Sequence, residues 1–456
     1  MKNSQFDLLK DIRFAPLFVT QFLGAFHDNL FKNALVVLLV YGVLNSQAQT
    51  GMAPEVLVTL ATGIFILPFV LFSALGGQYA DKYPKDKVIR VIKVVEIGVA
   101  VLGAISLLSG SVNLCLLTLF ALGAQSAFFG PIKYSILPQH LDEDELIGGN
   151  ALLSTGTFLA ILVGTIVGAA FVTMSAGIVM VSLLLIAVAV AGYFASRYIP
   201  DAKAGDPDLK MNYNIVTETY QIIDQLFSHR RSVIESALGV AWFWFLGAVF
   251  LSQLPNFTEG VLGASNTVFT LFMVLFSVGI ALGGLLNNRL LHGRVEAVYV
   301  PLAAVGITIF SIDLFFAGNG YQGGAEESLM SLSAFLSTLP SWRIIFDIFL
   351  IALCAGLFVV PLNAIIQHDT PEDIRSRILA GSAILNSIFV VASSVISAFL
   401  LSLGFGITSL FLMCALANLV VAVYICQLLP AYFMKSMMQV VLKLSLIHIS
   451  EPTRPS

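Results

Sequence analysis

Charge is the scarcest thing in this chain. Asp, Glu, Lys and Arg make up only 11% of the residues, where soluble domains carry about 25%. Hydrophobic residues reach 58%, and the mean hydropathy is +0.92. A chain so poor in polar groups cannot cover a water-facing surface, which excludes an ordinary soluble protein. The net charge is −4 and no basic run is present that would track phosphates, so nucleic acid is excluded as a partner. Cysteine is rare as well. Cys115, Cys354, Cys414 and Cys426 lie in apolar segments without metal-ligand spacing; they read as small core residues, and neither a metal nor a cofactor is expected. Residues 1–13 are polar, and no small-residue cleavage site follows a short apolar core. The first apolar stretch is therefore expected to be retained as a helix rather than removed as a signal peptide.

What is abundant is apolar sequence in windows long enough for a helix to cross a hydrocarbon core roughly 30 Å thick. Twelve are read, at 14–43, 56–79, 88–108, 112–136, 146–172, 176–197, 232–255, 264–288, 295–317, 343–366, 378–402 and 406–429. The connections test this count independently. Those at 44–55, 109–113, 173–177, 256–264, 318–341 and 403–407 hold no Lys or Arg. The alternate ones carry Lys82, Lys85, Lys87, Arg90, Lys203, Lys210, Arg230, Arg231, Arg289, Arg294, Arg375 and Arg377. The acidic connection Asp142 to Glu145 is an exception in sign, but acids weigh little in orientation. The positive-inside rule then puts both termini in the cytoplasm. The expected fold is an all-α membrane protein of twelve transmembrane helices in two six-helix bundles.

The bundles are expected at 1–197 and 232–430, joined by a polar cytoplasmic linker at 198–231 that contains a weakly amphipathic run from Ile215 to Phe227. A faint repeat supports two halves. Gly130-Pro-Ile-Lys-Tyr-Ser-Ile-Leu-Pro-Gln-His140 echoes Val360-Pro-Leu-Asn-Ala-Ile-Ile-Gln-His368, an offset of about 230 residues, as parallel transporter repeats give. Lys133 corresponds to Asn363, so charge is kept in the first half and lost in the second. Residues 431–456 form a tail. Its first part is basic and amphipathic, and Ser445 to Ser456 fits no element and reads as foreign to the natural chain. In the long connection 318–341, Leu329, Leu332, Leu336 and Leu339 have helical spacing. They predict a short helix from Glu326 to Leu339, lying on the outer membrane surface or packed across the bundle mouth.

Against this apolar background the intramembrane charges stand out. Asp28 and Lys32 lie one turn apart in the middle of the first window, where a charge costs roughly 2.5 to 3.5 kcal/mol and faces a bundle interior or a watery cavity. Two readings compete: a self-neutralising pair that fixes packing, or two groups lining a cavity. Asn29 and Asn33 repeat the spacing on an adjacent stripe and Gln21 lies on the Asp28 face, which favours the cavity; His27 lies off that stripe. Lys93, Glu96, Gln125, Lys133 and Asn150 add polarity to the first half. Lys133 follows Pro131, which removes a backbone donor and can bend the helix. It reads either as a snorkelling lysine or as a phosphate contact. In the second half Asp313, Arg343 and Asp347 stand near helix ends, with Arg343 and Asp347 spaced to pair, and Asn363, Asn386 and Asn418 are deeper but neutral. A charged half facing an apolar one suits an amphiphile better than a sugar. The run His368-Asp-Thr-Pro-Glu-Asp373 matches an acyltransferase His-x4-Asp pattern, but it lies in a short connection with no soluble domain around it and reads as coincidence.

Gly77-Gln-Tyr-Ala-Asp81-Lys82, followed by Lys85, Lys87 and Arg90, resembles the signature loop of the major facilitator superfamily. In that loop a glycine lets two helices approach and the aspartate and basic residues form a conformational latch. Here Pro84 stands where glycine is usual, and the counterpart Gly283 to Arg289 lacks the aspartate. Gln21-Phe-Leu-Gly-Ala-Phe-His-Asp-Asn-Leu-Phe-Lys32, Gly130 to Leu137, Gly149-Asn150-Ala151 with Gly164 and Gly168, and Gly356 to Ala364 resemble the lysophospholipid transporter family of that superfamily, over residues 14–430. The resemblance implies movement of lysophosphatidylethanolamine-like lipids from the outer to the inner leaflet of a bacterial inner membrane, for reacylation. It assigns substrate binding to Asp28, Asn29, Lys32 and Lys133, while the superfamily's signature loop assigns the latch to Gly77, Asp81 and Lys82. The expected protein is a monomeric, non-enzymatic transporter in contact with membrane lipids. Its tail resembles the junction to an acyltransferase domain in fused relatives, so an acyltransferase is a further expected partner. The alternatives are a proton-coupled transporter of small drugs or metabolites, with Asp28 and Glu96 as protonation sites, and a non-transporting anchor for an acyltransferase.

Overall fold

A computed structural model describes residues 5–40, 44, 49–52, 54–321 and 329–428. Among the described residues twelve helices are long and apolar enough to cross a membrane, one for each window read from the sequence. They are α1 (Ala15–Val40), α2 (Pro54–Lys82), α3 (Lys85–Ser109), α4 (Val112–Ser135), α5 (Leu146–Val172), α6 (Gly177–Ser196), α7 (Arg231–Asn256), α8 (Asn266–Leu291), α9 (Val300–Asn319), α10 (Leu339–Asp369), α11 (Arg375–Ser402) and α12 (Ile407–Leu428). In lipid every backbone N–H and C=O must be satisfied within the segment, so apolar windows of this length have one solution, the helix. Among the described residues the only β pairing is an isolated bridge between Ala264 and Met330.

The chain divides into two compact units. The first is Met1–Ala248 with Leu362–Ile396, and the second is Val249–Pro361 with the described residues from Ser397 on. In the first unit α1 packs along α5 and α6, α2 along α4, and α3 along α6. Gly164 and Gly168 make the α1–α5 contact close: a Cβ there would come within 2.7 Å of the Phe26 carbonyl and 2.4 Å of the Leu30 carbonyl. Small residues at such crossings let backbones approach where lipid supplies no hydrophobic drive. The core runs through Leu30, Phe31, Leu35, Leu119, Leu122 and Leu185. Large apolar side chains on the outer faces, such as Leu183 and Val91, are exposed, as helices solvated by lipid require. In the second unit α9 packs on α12.

The linker helix forms at Ile215–Phe227, as its amphipathic run predicts. Asn214 caps it, accepting from the Val216 and Thr217 amides. Its inner face, Ile222 and Leu226, is buried, with Ile222 against Ala74 of α2 and Ile384 of α11. Two expectations are corrected. The helix anticipated from Glu326 to Leu339 is, within the described residues, only Leu332–Leu336. Ser337 ends it by donating back to the Ala334 carbonyl at 2.7 Å, and α10 restarts at Leu339 with Pro340 in its first turn, where a missing N–H costs nothing. Phe335 of that short helix is buried against Phe272 of α8. Arg343 does not take Asp347, one turn on; it reaches across to Asp313 of α9, with Nε 2.9 Å from Oδ2. The tail readings for 431–456 lie outside the described residues.

Candidate functional site

α1 carries a carboxylate deep among its neighbours. Asp28 is only 6% exposed. Its Oδ2 accepts from the Ser126 hydroxyl of α4 at 2.6 Å, and Ser126 in turn accepts from the Gln125 side-chain amide at 3.1 Å. Oδ1 has no hydrogen bond; His27 Nδ1 lies 3.6 Å from it. Both nitrogens of His27 and Oε1 of Gln125 are likewise buried without a partner. A buried oxygen left open in this way is costly in a structural pair and useful in a site that awaits a donor.

Lys32 and Lys133 stand around this carboxylate without closing on it. Asp28 acts electrostatically on both, and Lys133 is also within the field of Lys93. Neither lysine has an ion-pair partner among the described residues. Lys32 Nζ lies 5.7 Å from the centroid of the Phe65 ring of α2, and Lys133 Nζ lies 5.1 Å from that of Tyr134. Each is surrounded by protein yet keeps some accessible surface, as a side chain lining a cavity does. Pro131 does not break α4. The helix runs on to Ser135 and breaks at Ile136, where Pro138 opens the next short helix, Leu137–His140.

The polar companions of Asp28 point elsewhere. The Asn29 amide donates to the Ala25 carbonyl at 2.8 Å, and that of Asn33 to the Asn29 carbonyl and to Thr165 of α5. Gln21 binds the Leu153 carbonyl and Thr157 of α5. Asn33 and Gln21 thus bond α1 to α5, and Asn29, about 100° around the helix from Asp28, packs beside Gly164 of α5. Ser126 was not singled out by the sequence reading. A serine in an apolar helix carries no signal of its own; only its place opposite Asp28 does.

Behind α1, Lys93 and Glu96 of α3 form an ion pair at 2.6 Å, both essentially unexposed. Lys93 fits because residue 24 is glycine: a Cβ there would stand 2.7 Å from its Nζ. Its ammonium also lies 5.1 Å from the Phe129 ring centroid of α4. Oε1 of Glu96 has no hydrogen bond.

The latch residues meet the start of α11. Asp81 is fully buried; Oδ1 accepts from the Ser376 amide at 3.0 Å, and Oδ2 from the Arg377 amide and Nε at 3.1 Å. A carboxylate at a helix N-terminus meets unsatisfied N–H groups and the positive end of the dipole. Gly77 permits the approach, since a Cβ there would lie 2.7 Å from the Ala380 Cβ. Lys82 Nζ donates to the Leu209 carbonyl of the linker at 2.8 Å. Asp206, also in the linker, bonds back to the Asp81 carbonyl through its amide. Among the described residues no cluster of His, Cys, Asp or Glu has the makings of a metal site.

Comparison with known proteins agrees with this architecture. The sequence profile of the Major Facilitator Superfamily matches residues 17–325. A protein of Escherichia fergusonii named lysophospholipid transporter LplT is 28% identical over 80% of this chain and 82% of its own length. Its namesake in Photorhabdus laumondii is 27% identical over 78% and 80%. Among solved structures, the human organic anion transporter MFSD10 superposes with a TM-score of 0.69 at 14% identity, covering 89% of this chain and 98% of that one. The fucose:proton symporter FucP of E. coli gives 0.66 at 13%, covering 90% and 97%. The resemblance to lysophospholipid transporters read from the α1 and α4 motifs is thus found over most of the chain. The chain belongs to the Major Facilitator Superfamily and is a multi-pass membrane transporter.

Proposed function

We propose that the protein moves lysophospholipids, of the lysophosphatidylethanolamine kind, from the outer to the inner leaflet of a bacterial inner membrane by alternating access, for reacylation there. The observation that carries this reading is Asp28, buried and held by Ser126 on one oxygen only, with two lysines nearby that have no ion-pair partner among the described residues. A zwitterionic headgroup matches that set: its ammonium goes to the open oxygen of Asp28 and its phosphate to Lys133 or Lys32. Asn29 serves through the α1–α5 packing that holds Asp28 in place. Curated relatives bearing the name lysophospholipid transporter support the substrate class. Both termini face the cytoplasm on this reading, and Gly77, Asp81 and Lys82 hold the cytoplasmic end of α2 against α11 in one access state. The chain works without enzymatic activity of its own, and reacylation falls to an acyltransferase. The test is leaflet translocation of labelled lysophosphatidylethanolamine in liposomes holding the purified protein. Wild type should move it and Asp28→Ala and Lys133→Ala should not; Asp28→Ala at the wild-type rate sinks the proposal.

A second reading, proton-coupled transport of small drugs or metabolites, is favoured by the buried Lys93–Glu96 pair with its open Oε1. Flux that needs a pH gradient, is lost in Glu96→Gln and ignores competing lysolipid would select it.

A further inference from the structure

One groove on the outer face of the first unit is used by neither the Asp28 site nor the latch. It lies where the start of α1 meets the end of α6, has a volume of about 390 Å³, and is lined by Lys10, Ile12, Pro16, Val19, Ala195 and Tyr198 among others. That volume is within the range of small-molecule sites, roughly 300–1,000 Å³. The walls along the helices are apolar and open: Val19 is 42% exposed and Ile12 64%. On helices that cross a membrane, such a surface is covered by acyl chains.

Charge at the rim narrows the occupant. Arg13, between the groove and α5, is already neutralised, 2.7 Å from Asp11 and 3.0 Å from Glu145. Lys10, which lines the groove, and Arg197, next to the lining residue Tyr198 in the chain, are exposed, and neither side chain has an ion-pair or hydrogen-bond partner among the described residues. Asp7, on the same short helix Gln5–Lys10 as Lys10, forms no ion pair with it. Tyr198, 69% exposed, adds an amphipathic ring of the kind enriched at membrane interfaces. Both kinds of headgroup bring one phosphodiester charge, but a zwitterionic one adds an ammonium that the two cations repel, whereas an anionic one brings the negative charge alone.

We propose that this groove binds an anionic membrane phospholipid, with one acyl chain along Pro16, Val19 and Ala195 and its phosphate against Lys10. Arg197 draws the same headgroup from the α6 side. The lipid belongs to the leaflet at the end of the helices that bears Lys10, Arg13 and Arg197. The site is separate from Asp28, so it stands or falls independently of what the protein transports.

The test is native mass spectrometry of the full chain in detergent, titrated with phosphatidylglycerol or phosphatidylethanolamine. Removing one cation near the membrane surface, Lys10→Gln or Arg197→Gln, should weaken phosphatidylglycerol binding about fivefold, with the losses compounding in the double variant. Ala195→Trp fills the groove and should lower occupancy with every charge in place. Arg289→Gln, an exposed cation on α8 of the second unit, should leave binding unchanged, and phosphatidylethanolamine should bind weakly throughout. Thermal unfolding at the wild-type temperature shows that Lys10→Gln and Arg197→Gln are folded. Unchanged phosphatidylglycerol binding in the double variant, an equal loss in Arg289→Gln, or phosphatidylethanolamine binding as tightly as phosphatidylglycerol each overturns the proposal.

Discussion

Asn150 of α5 and Gln367 of α10 exchange two hydrogen bonds, Nδ2 to Oε1 at 2.9 Å and Nε2 to Oδ1 at 2.8 Å, with both side chains fully buried. The pair joins the two sequence halves. Gln367 closes the motif that echoes the one ending at Gln139 and His140, and Gln139 makes the counterpart contact, donating to Glu372 just before α11 at 2.6 Å. Each repeat thus reaches the helix that follows the other repeat. Truncating one amide strands its partner in a dry site, at a cost of roughly 1–3 kcal/mol. Asn150→Ala and Gln367→Ala should each lower the unfolding temperature, and the double variant should cost less than their sum. Strictly additive losses in that cycle would mean the two amides do not act as a pair.

Asp28 and Ser126 separate charge from position. Asp28→Asn keeps the shape and an oxygen for Ser126 but not the charge, and a hydrogen bond to a charged group is worth about 1.5–3 kcal/mol. Lysolipid translocation at low substrate should therefore fall tenfold or more in Asp28→Asn. Ser126→Ala keeps the charge and should fall less. Ser126→Ala losing more than Asp28→Asn would show that the hydroxyl, and not the carboxylate, is the main contact.

The helices were legible because lipid leaves an apolar segment one way to satisfy its backbone, and the linker helix because Asn214 and the Ile222/Leu226 stripe mark its start and inner face. Gly77 and Asp81 stood out in the sequence as a glycine for close approach and a carboxylate in a basic loop, and both meet the start of α11. What stayed hidden was direction. Gln21 read as part of the Asp28 face and Asn29 as part of an adjacent polar stripe lining the same cavity, yet both turn toward α5, where Gly164 and Gly168 bring the backbones close. Arg343 could pair along its own helix or across to α9, and sequence spacing shows only the first option. Ser126 became visible once α4 was set against α1.

Asp81 binds the first amides of α11, so its loss should be seen in those amides. Removing it strands two buried amides, at roughly 1–3 kcal/mol each, while the Arg377 guanidinium keeps Asp206 at 3.4 Å. In Asp81→Ala, hydrogen exchange at Ser376 and Arg377 should speed up markedly while the centre of α11 stays protected. Unchanged protection at those two residues would show that the helix start is held by other groups. Lys82→Ala, which frees only the Leu209 carbonyl, should loosen the linker near 209 and leave the α11 amides protected.

Glu218 makes docking of the linker helix depend on pH. It is buried on the inner face of Ile215–Phe227. That burial pushes its carboxyl above the usual range, opposed by a hydrogen bond from Asn212 and the charge of Arg377. For an acid whose folded pKa is raised, the protonated form is the one the docked state prefers. Its contribution is therefore fully present below the unfolded value of about 4.3, and it is lost as pH rises through the higher folded value. Protease cleavage within 215–227 should accordingly be slowest at low pH and quicken across that window. Glu218→Gln, neutral at every pH, should hold the slow rate throughout and remove the pH dependence. A variant that cleaves faster than wild type at neutral pH would reverse the sign and show that the ionised carboxylate, through Asn212 and Arg377, is what holds the helix down.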